Sequence, residues 1–153
     1  MKPETQQPPS GDRGVGEGGS FDRWSALQKA TDTPRANLLA DIVGHPKGAP
    51  CVKELDYMNP DLGEDAIRRH LNVLEAYGVV EELVVPAGSR IRGYPYKFYM
   101  LSDDAREMFD DNDLFPEDAW SRQYDRVEKT NEIAELERMT HGRRRGDSRP
   151  TTR

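Results

Sequence analysis

The chain has 153 residues, of which 33% are charged and only 35% apolar, enough for one domain with part of its length outside any core. It holds no apolar run long enough for a transmembrane helix and no apolar segment near its start that would make a secretory signal. Its single cysteine, Cys51, excludes an intramolecular disulfide framework and a thiolate-cluster metal site, and the expectation is a soluble, cytoplasmic chain. The net charge of −6 is uneven. Residues 102–140 hold 13 acids against 5 bases, and residues 141–153 hold 5 bases against 1 acid. Phosphate contacts need Lys and Arg, so any reading as a nucleic-acid binder must rest on local bases.

Residues 1–19, rich in Pro, Gly, Gln and Ser, cannot bury enough apolar area to offset ordering and are expected to be a disordered tail. Phe21, Trp24 and Leu27 recur every three residues and predict a helix capped by Ser20. Thr33 caps a second helix with Pro34 in its first turn. Leu38, Leu39, Ile42 and Val43 form its stripe, and Gly44 ends it. A short third helix runs from about Val52 to Met58, broken at Asn59 by Pro60. A fourth runs from about Glu64 to Tyr77, with Ile67, Leu71 and Leu74 on one face and Gly78 as its stop.

The period then changes. Val79–Val85 is rich in β-branched residues, Pro86–Ser89 is turn chemistry, and Tyr94–Leu101 is aromatic and extended, with Pro95 near its start. These runs predict a hairpin whose long loop carries Arg90 and Arg92. Ser102 caps the next helix. Pro116 opens a last, long helix to about Met139, with Trp120, Tyr124 and Val127 on one stripe and Ile133, Leu136 and Met139 on a shifted one. Residues 141–153 read as a disordered basic tail, either a solvated end or a nonspecific phosphate clamp.

Helix, short helix, tight turn, helix and two-stranded wing is the winged helix-turn-helix order. The fold class expected is α+β, mostly α, with the winged domain over 20–115, an extra N-terminal helix within it, and a C-terminal helix over 116–140. Such a module lays its second helix in the DNA major groove. Arg35–Gly44, Val52-Lys53-Glu54-Leu55, and Ile67, His70, Leu71 and Leu74 followed by Gly78-Val79-Val80 resemble winged-helix transcriptional regulators of the ArsR-like class, particularly those of halophilic archaea. The run Tyr96–Asp103 is similar to their passage from the wing into the next helix. The resemblance covers about residues 20–140 and implies a regulator that binds duplex DNA. In the family's pattern Ser, Thr or Arg often opens the recognition helix. Here Gly63, Glu64 and Asp65 stand there, two carboxylates that suit a helix N-terminus and repel phosphate. A carboxylate can still accept from cytosine N4. One cysteine cannot supply the paired thiolates of the metal-sensing members.

With Ile67, Leu71 and Leu74 inward, Asp65, Arg68, Arg69 and Asn72 face outward. Arg68 and Arg69 are the bases of this helix, and the resemblance places them on guanine edges or phosphate. A merely solvated helix face is the alternative. Arg90 and Arg92 would meet flanking backbone or minor groove, or serve only loop solubility. Lys53 and Lys47 are candidates of the same kind. A homodimer is expected through Phe21, Trp24 and Leu27 with Trp120, Tyr124 and Val127, unless the last helix packs back on its own domain. His70 reads as a packed or hydrogen-bonded residue, His45 as a loop residue and Cys51 as a small apolar one. No nucleophile elbow, P-loop, HExxH or catalytic acid pair is present, so no catalytic residue, metal or cofactor is expected, and the chain is not read as an enzyme. The rival reading is a winged-helix protein–protein interaction module without DNA binding, which the acidic helix start and net charge favour.

Overall fold

The computed structural model describes residues 21–139 and the backbone of Arg143–Arg144. The expected N-terminal tail, Ser20 and the rest of the basic tail lie outside the described residues. Among the described residues, no helix is long and apolar enough to cross a membrane.

Helix α1 (Arg23–Ala30) is capped by Asp22, whose carboxylate accepts from the Ser25 N–H at 3.3 Å and the Ser25 hydroxyl at 3.0 Å. The helix buries Ser25, Ala26 and Ala30, side chains small enough to let its backbone close on α2 (Thr33–Gly44) and α4 (Glu64–Ala76). The expected stripe therefore splits. Phe21 and Leu27 pack against the core, while Trp24, on the far side from Ala26 and Ala30, is 57% exposed.

The N-cap of α2 is Asp32, one residue before Thr33, and Pro34 sits in the first turn, where its missing N–H costs nothing. Leu38, Leu39, Ile42 and Val43 are buried, and α2 runs through the centre of the molecule against α1, α3, α4, α6 and the wing. Gly44 is more than a stop signal: a Cβ there would meet the Trp120 carbonyl oxygen at 2.6 Å and Tyr124 Cβ at 3.0 Å. Gly→Ala within a helix normally stabilises by up to about 1 kcal/mol. Here a backbone carbonyl cannot give way as a flexible side chain would. Gly44→Ala is expected to lower stability by about 1–2 kcal/mol, read as a lower urea midpoint at unchanged slope.

Helix α3 (Val52–Met58) and α4 form the helix-turn-helix pair. Asn59 ends α3 by donating its side-chain amide to the Leu55 carbonyl at 2.9 Å and to Asp41 Oδ2 of α2 at 2.7 Å. Gly63 enters α4 at φ +81°, a conformation that only glycine adopts without strain. At the far end the Val79 N–H returns to the Leu74 carbonyl and the Gly78 N–H to that of Glu75, a Schellman closure with Gly78 at φ +78°. Ile67, Leu71 and Leu74 are buried as their spacing predicts.

The wing is β1 (Val80–Val84) antiparallel to β2 (Lys97–Leu101), with Val80 opposite Leu101, Glu82 opposite Tyr99 and Val84 opposite Lys97. A two-residue strand, β3 (Arg143–Arg144), pairs antiparallel with Leu83 and Val84, giving the order β2-β1-β3. Ser102 closes the hairpin onto α4 by donating to the Gly78 carbonyl at 2.6 Å, and it caps α5 (Asp103–Asp111) by accepting from the Ala105 N–H at 3.0 Å.

The single long helix expected over 116–139 is two helices, α6 (Glu117–Arg126) and α7 (Asn131–Glu137). Val127 leaves helical geometry at ψ 130°, and Thr130 caps α7 by accepting from the Ile133 N–H at 3.2 Å. The two apolar stripes have different targets. Tyr124 is buried against the C-terminal end of α2, whereas Ile133 and Leu136 join Ala49, Cys51, Leu83, Val85 and Phe98 in a second core behind the wing. A straight helix could not serve both surfaces.

Candidate nucleic-acid interface

The outward face of α4, the start of α3 and the base of the wing border one open groove of about 600 Å³. Lys53, Arg68, Asn72 and Lys97 line it, together with Glu64, Glu82, Tyr94, Tyr96 and Tyr99. Asp65, Arg68, Arg69 and Asn72 are all exposed, as their register on α4 predicts.

Most of the groove's cations have acidic neighbours. Arg68 meets Glu64 Oε1 at 3.1 Å and Asp65 Oδ1 at 3.5 Å on its own helix. Lys53 lies 3.7 Å from Glu132 of α7, and Lys97 lies 3.8 Å from the buried carboxylate of Glu82. The exposed Arg68 and Lys53 pairs are weak, so a stronger anionic partner can displace them at little cost, whereas Lys97 faces a buried carboxylate that holds it more firmly. On the wing, Arg90 donates to the Val85 carbonyl at 2.9 Å and stacks 3.8 Å from the Tyr96 ring centroid, which braces the loop. Arg92 is exposed near the tip. Lys47 lies elsewhere, donating to the Arg138 carbonyl at 2.8 Å.

A buried pair holds α3 in place. The His45 Nδ1 accepts the N–H groups of Lys47 at 3.1 Å and Ala49 at 3.4 Å, so its Nε2 carries the proton and faces Glu54 Oε2 at 2.7 Å. The other Glu54 oxygen accepts the Cys51 N–H at 3.1 Å. His45 stands in the loop after α2, as its Gly/Pro surroundings predict, and is there a buried anchor. The signal for it lay in Glu54, an acid at the third position of a helix, where it reaches back to the cap. His70 accepts from Arg35 at 3.3 Å, and Arg35 also donates to the Lys29 carbonyl at 2.6 Å, joining α1, α2 and α4. Burial, and then the charges of Arg35 and Arg69, hold the His70 pKa below its ordinary value.

Lys97, Tyr94 and Tyr96 are groove residues that the sequence reading did not single out. The available signal was the two-residue alternation along the strand, which puts Lys97 on the face of Tyr99. Cys51 is buried, and burial followed by the Glu54 charge pushes its thiol up to about 12, the reverse of what a reactive thiolate needs. Among the described residues no group of three His, Cys, Asp or Glu side chains is placed to hold a metal ion.

Of the six expected interface residues, Tyr124 is 2% exposed within its own chain, and Phe21, Leu27 and Trp120 pack against the core. Trp24 at 57% and Val127 at 38% keep exposed apolar surface.

No family model and no curated protein matches the chain. Its structure is similar to that of a protein with a GntR superfamily winged-helix-turn-helix domain from Halomicrobium mukohataei, at 28% identity and a TM-score of 0.68, over 82% of this chain and 89% of that one. That likeness supports the winged helix-turn-helix and does not extend to the ArsR-like class. The α+β, mostly α fold expected from the element order is the fold of this chain.

Proposed function

We propose that the chain is a sequence-specific, non-enzymatic transcriptional regulator that binds duplex DNA, of the ArsR-like winged-helix kind its sequence resembles. In this reading α4 enters the major groove with Arg68, Arg69 and Asn72 toward base edges or phosphate, and Asp65 at its rim. Lys53, Arg90 and Arg92 meet the flanking backbone. The observation that carries the reading is one open groove that Arg68 and Asn72 of α4 line together with Lys53 of α3 and Lys97 of the wing, with Arg69 exposed on the same helix and Arg90 and Arg92 on the wing loop outside that lining. The winged helix-turn-helix neighbour supports it. Dimerisation is proposed through the N-terminal helix α1 and the C-terminal α6–α7 segment, with Trp24 and Val127 as exposed members, since a two-fold protein matches a two-fold site.

The test is selection of bound fragments from a random duplex pool with the full chain across a salt series. The expected outcome is enrichment of an inverted repeat with half-sites about one helical turn apart, log K falling linearly with log salt at about −0.9 per phosphate contact. No enrichment at any salt from folded protein overturns the reading. One observation favours a protein-interaction module instead: Glu64, Asp65, Glu82 and Glu132 offset the cations of the groove. That module would show no DNA salt slope.

A further inference from the structure

The wing differs in charge from the rest of the chain. Residues 83–102 hold no Asp or Glu, the longest acid-free run in a chain with 28 acids, and they carry Arg90, Arg92 and Lys97. At the root of the wing loop the backbone of Arg143–Arg144, part of the base-rich run 141–153, pairs with Leu83 and Val84. The same loop carries apolar surface. Of the five large apolar side chains exposed among the described residues, three stand on it: Ile91, Tyr94 and Tyr96, with Ile91 58% exposed. Single apolar side chains scattered over a surface are ordinary, but a group of them set between cations on one loop marks a surface that meets a partner.

The loop is built to hold its tip still. The Val85 N–H donates to the Tyr96 carbonyl at 2.8 Å, extending the hairpin beyond its strands. Arg90 lies over the Tyr96 ring and donates to the Val85 carbonyl, so it braces the loop from one side. The Tyr94 N–H closes a tight turn onto the Ile91 carbonyl at 3.0 Å, with Gly93 at φ +84° in the third position of that turn. The Tyr94 hydroxyl donates to Glu135 of α7 at 3.3 Å. Ile91 and Arg92 are the side chains left exposed at the tip of this frame.

The two call for different parts of one partner. A phosphate satisfies Arg92. Ile91 gains nothing from phosphates, which are hydrated anions. On duplex DNA the apolar surface lies in the sugar walls of the minor groove and between the base pairs. With α4 in the major groove, the wing stands over the bordering phosphate strand, beyond which lies the minor groove. We propose that Ile91 is a minor-groove wedge. It enters at a deformable pyrimidine–purine step flanking each half-site, partly unstacks that step and bends the duplex, while Arg92 holds the bordering phosphates. The wing then reads the deformability of the flank at a position where it makes no hydrogen bond to a base. This inference rests on the duplex-binding reading above and adds to it a residue and a feature of the site that it recognises.

The experiment binds the full chain to duplexes selected from the random pool. These carry a fluorescent adenine analogue, bright when unstacked, at single positions in the flanks, and a dye pair at the two ends. The expected result with the parent is a brighter analogue at one flanking step and a shorter end-to-end distance, corresponding to a bend of about 20–90°. Ile91 is exposed, so Ile91→Ser leaves the fold intact. This variant is expected to lose the analogue's signal, straighten the duplex and bind roughly tenfold more weakly at unchanged salt slope, since no charge is lost. Ile91→Leu, still apolar, is expected to keep both signals. The proposal is overturned if the parent binds its duplex with a silent analogue and an unchanged end-to-end distance, or if Ile91→Ser retains both signals. Absence of any duplex binding would defeat the regulator reading and this inference with it, so the two failures are told apart. Vesicles of phosphatidylglycerol probe the other partner that a basic, apolar loop suits. Vesicle binding that depends on Ile91, with a straight duplex, would assign the loop to a lipid surface instead.

Discussion

Replacing Arg68 and Arg69 together by Ala is expected to weaken duplex binding by roughly 10²–10⁴-fold while leaving the fold intact. Each well-made Arg contact to a base edge or phosphate is worth about 1–3 kcal/mol, and the two side chains stand on the exposed side of α4. Removing them creates no cavity, so stability should change by less than about 0.5 kcal/mol. The two single variants should differ. Arg68 lies against Glu64 and Asp65, and its loss leaves two carboxylates without their neighbouring cation at the N-terminal end of α4. Arg68→Ala should therefore cost more than its own contact, whereas Arg69→Ala removes one cation and exposes no new acid. Fluorescence anisotropy on the selected duplex at several salt concentrations separates the roles. A lost phosphate contact lowers the salt slope by about 0.9, and a lost base contact leaves the slope and relaxes sequence preference. Undiminished affinity in the double variant would remove α4 from the interface.

The helix-turn-helix itself was legible in the chain because its signals are local. Val52, Leu55 and Met58, then Ile67, Leu71 and Leu74, keep strict helical spacing, and Gly63 and Gly78 stand where the backbone must turn left-handed. What escaped was decided between elements. The break between α6 and α7 carries neither Pro nor Gly, and its only sequence traces are the shift of the apolar stripe and Thr130. Trp24 shares its spacing with Phe21 and Leu27, and spacing alone did not show that only the other two pack inward, because the space beside α2 and α4 admits the Ala26–Ala30 face. His45 and Glu54 are nine residues apart on either side of a loop, and no periodicity relates them. The exposed side of α4 could be read from register. The acids that neutralise the groove could not, since Glu82 and Glu132 arrive from the wing and from α7.

Asp41→Asn is expected to raise stability by about 1–3 kcal/mol at neutral pH, an unusual sign for a change at a half-buried, hydrogen-bonded position. The folded chain raises this carboxyl from 3.8 to about 6, so between those values it binds a proton that the unfolded chain has released. The stability of the parent therefore falls as pH rises through that window, and above about 6 the folded state carries the full cost of a desolvated carboxylate. The groups facing Asp41 do not offset this: Asn59 is neutral, and the Tyr124 hydroxyl is itself pushed well above its ordinary value by burial. Asparagine accepts the same hydrogen bond without the charge. Urea midpoints of parent and variant should nearly coincide near pH 4 and separate at pH 7.5. Coincidence at both would mean that Asp41 is solvated in the folded chain.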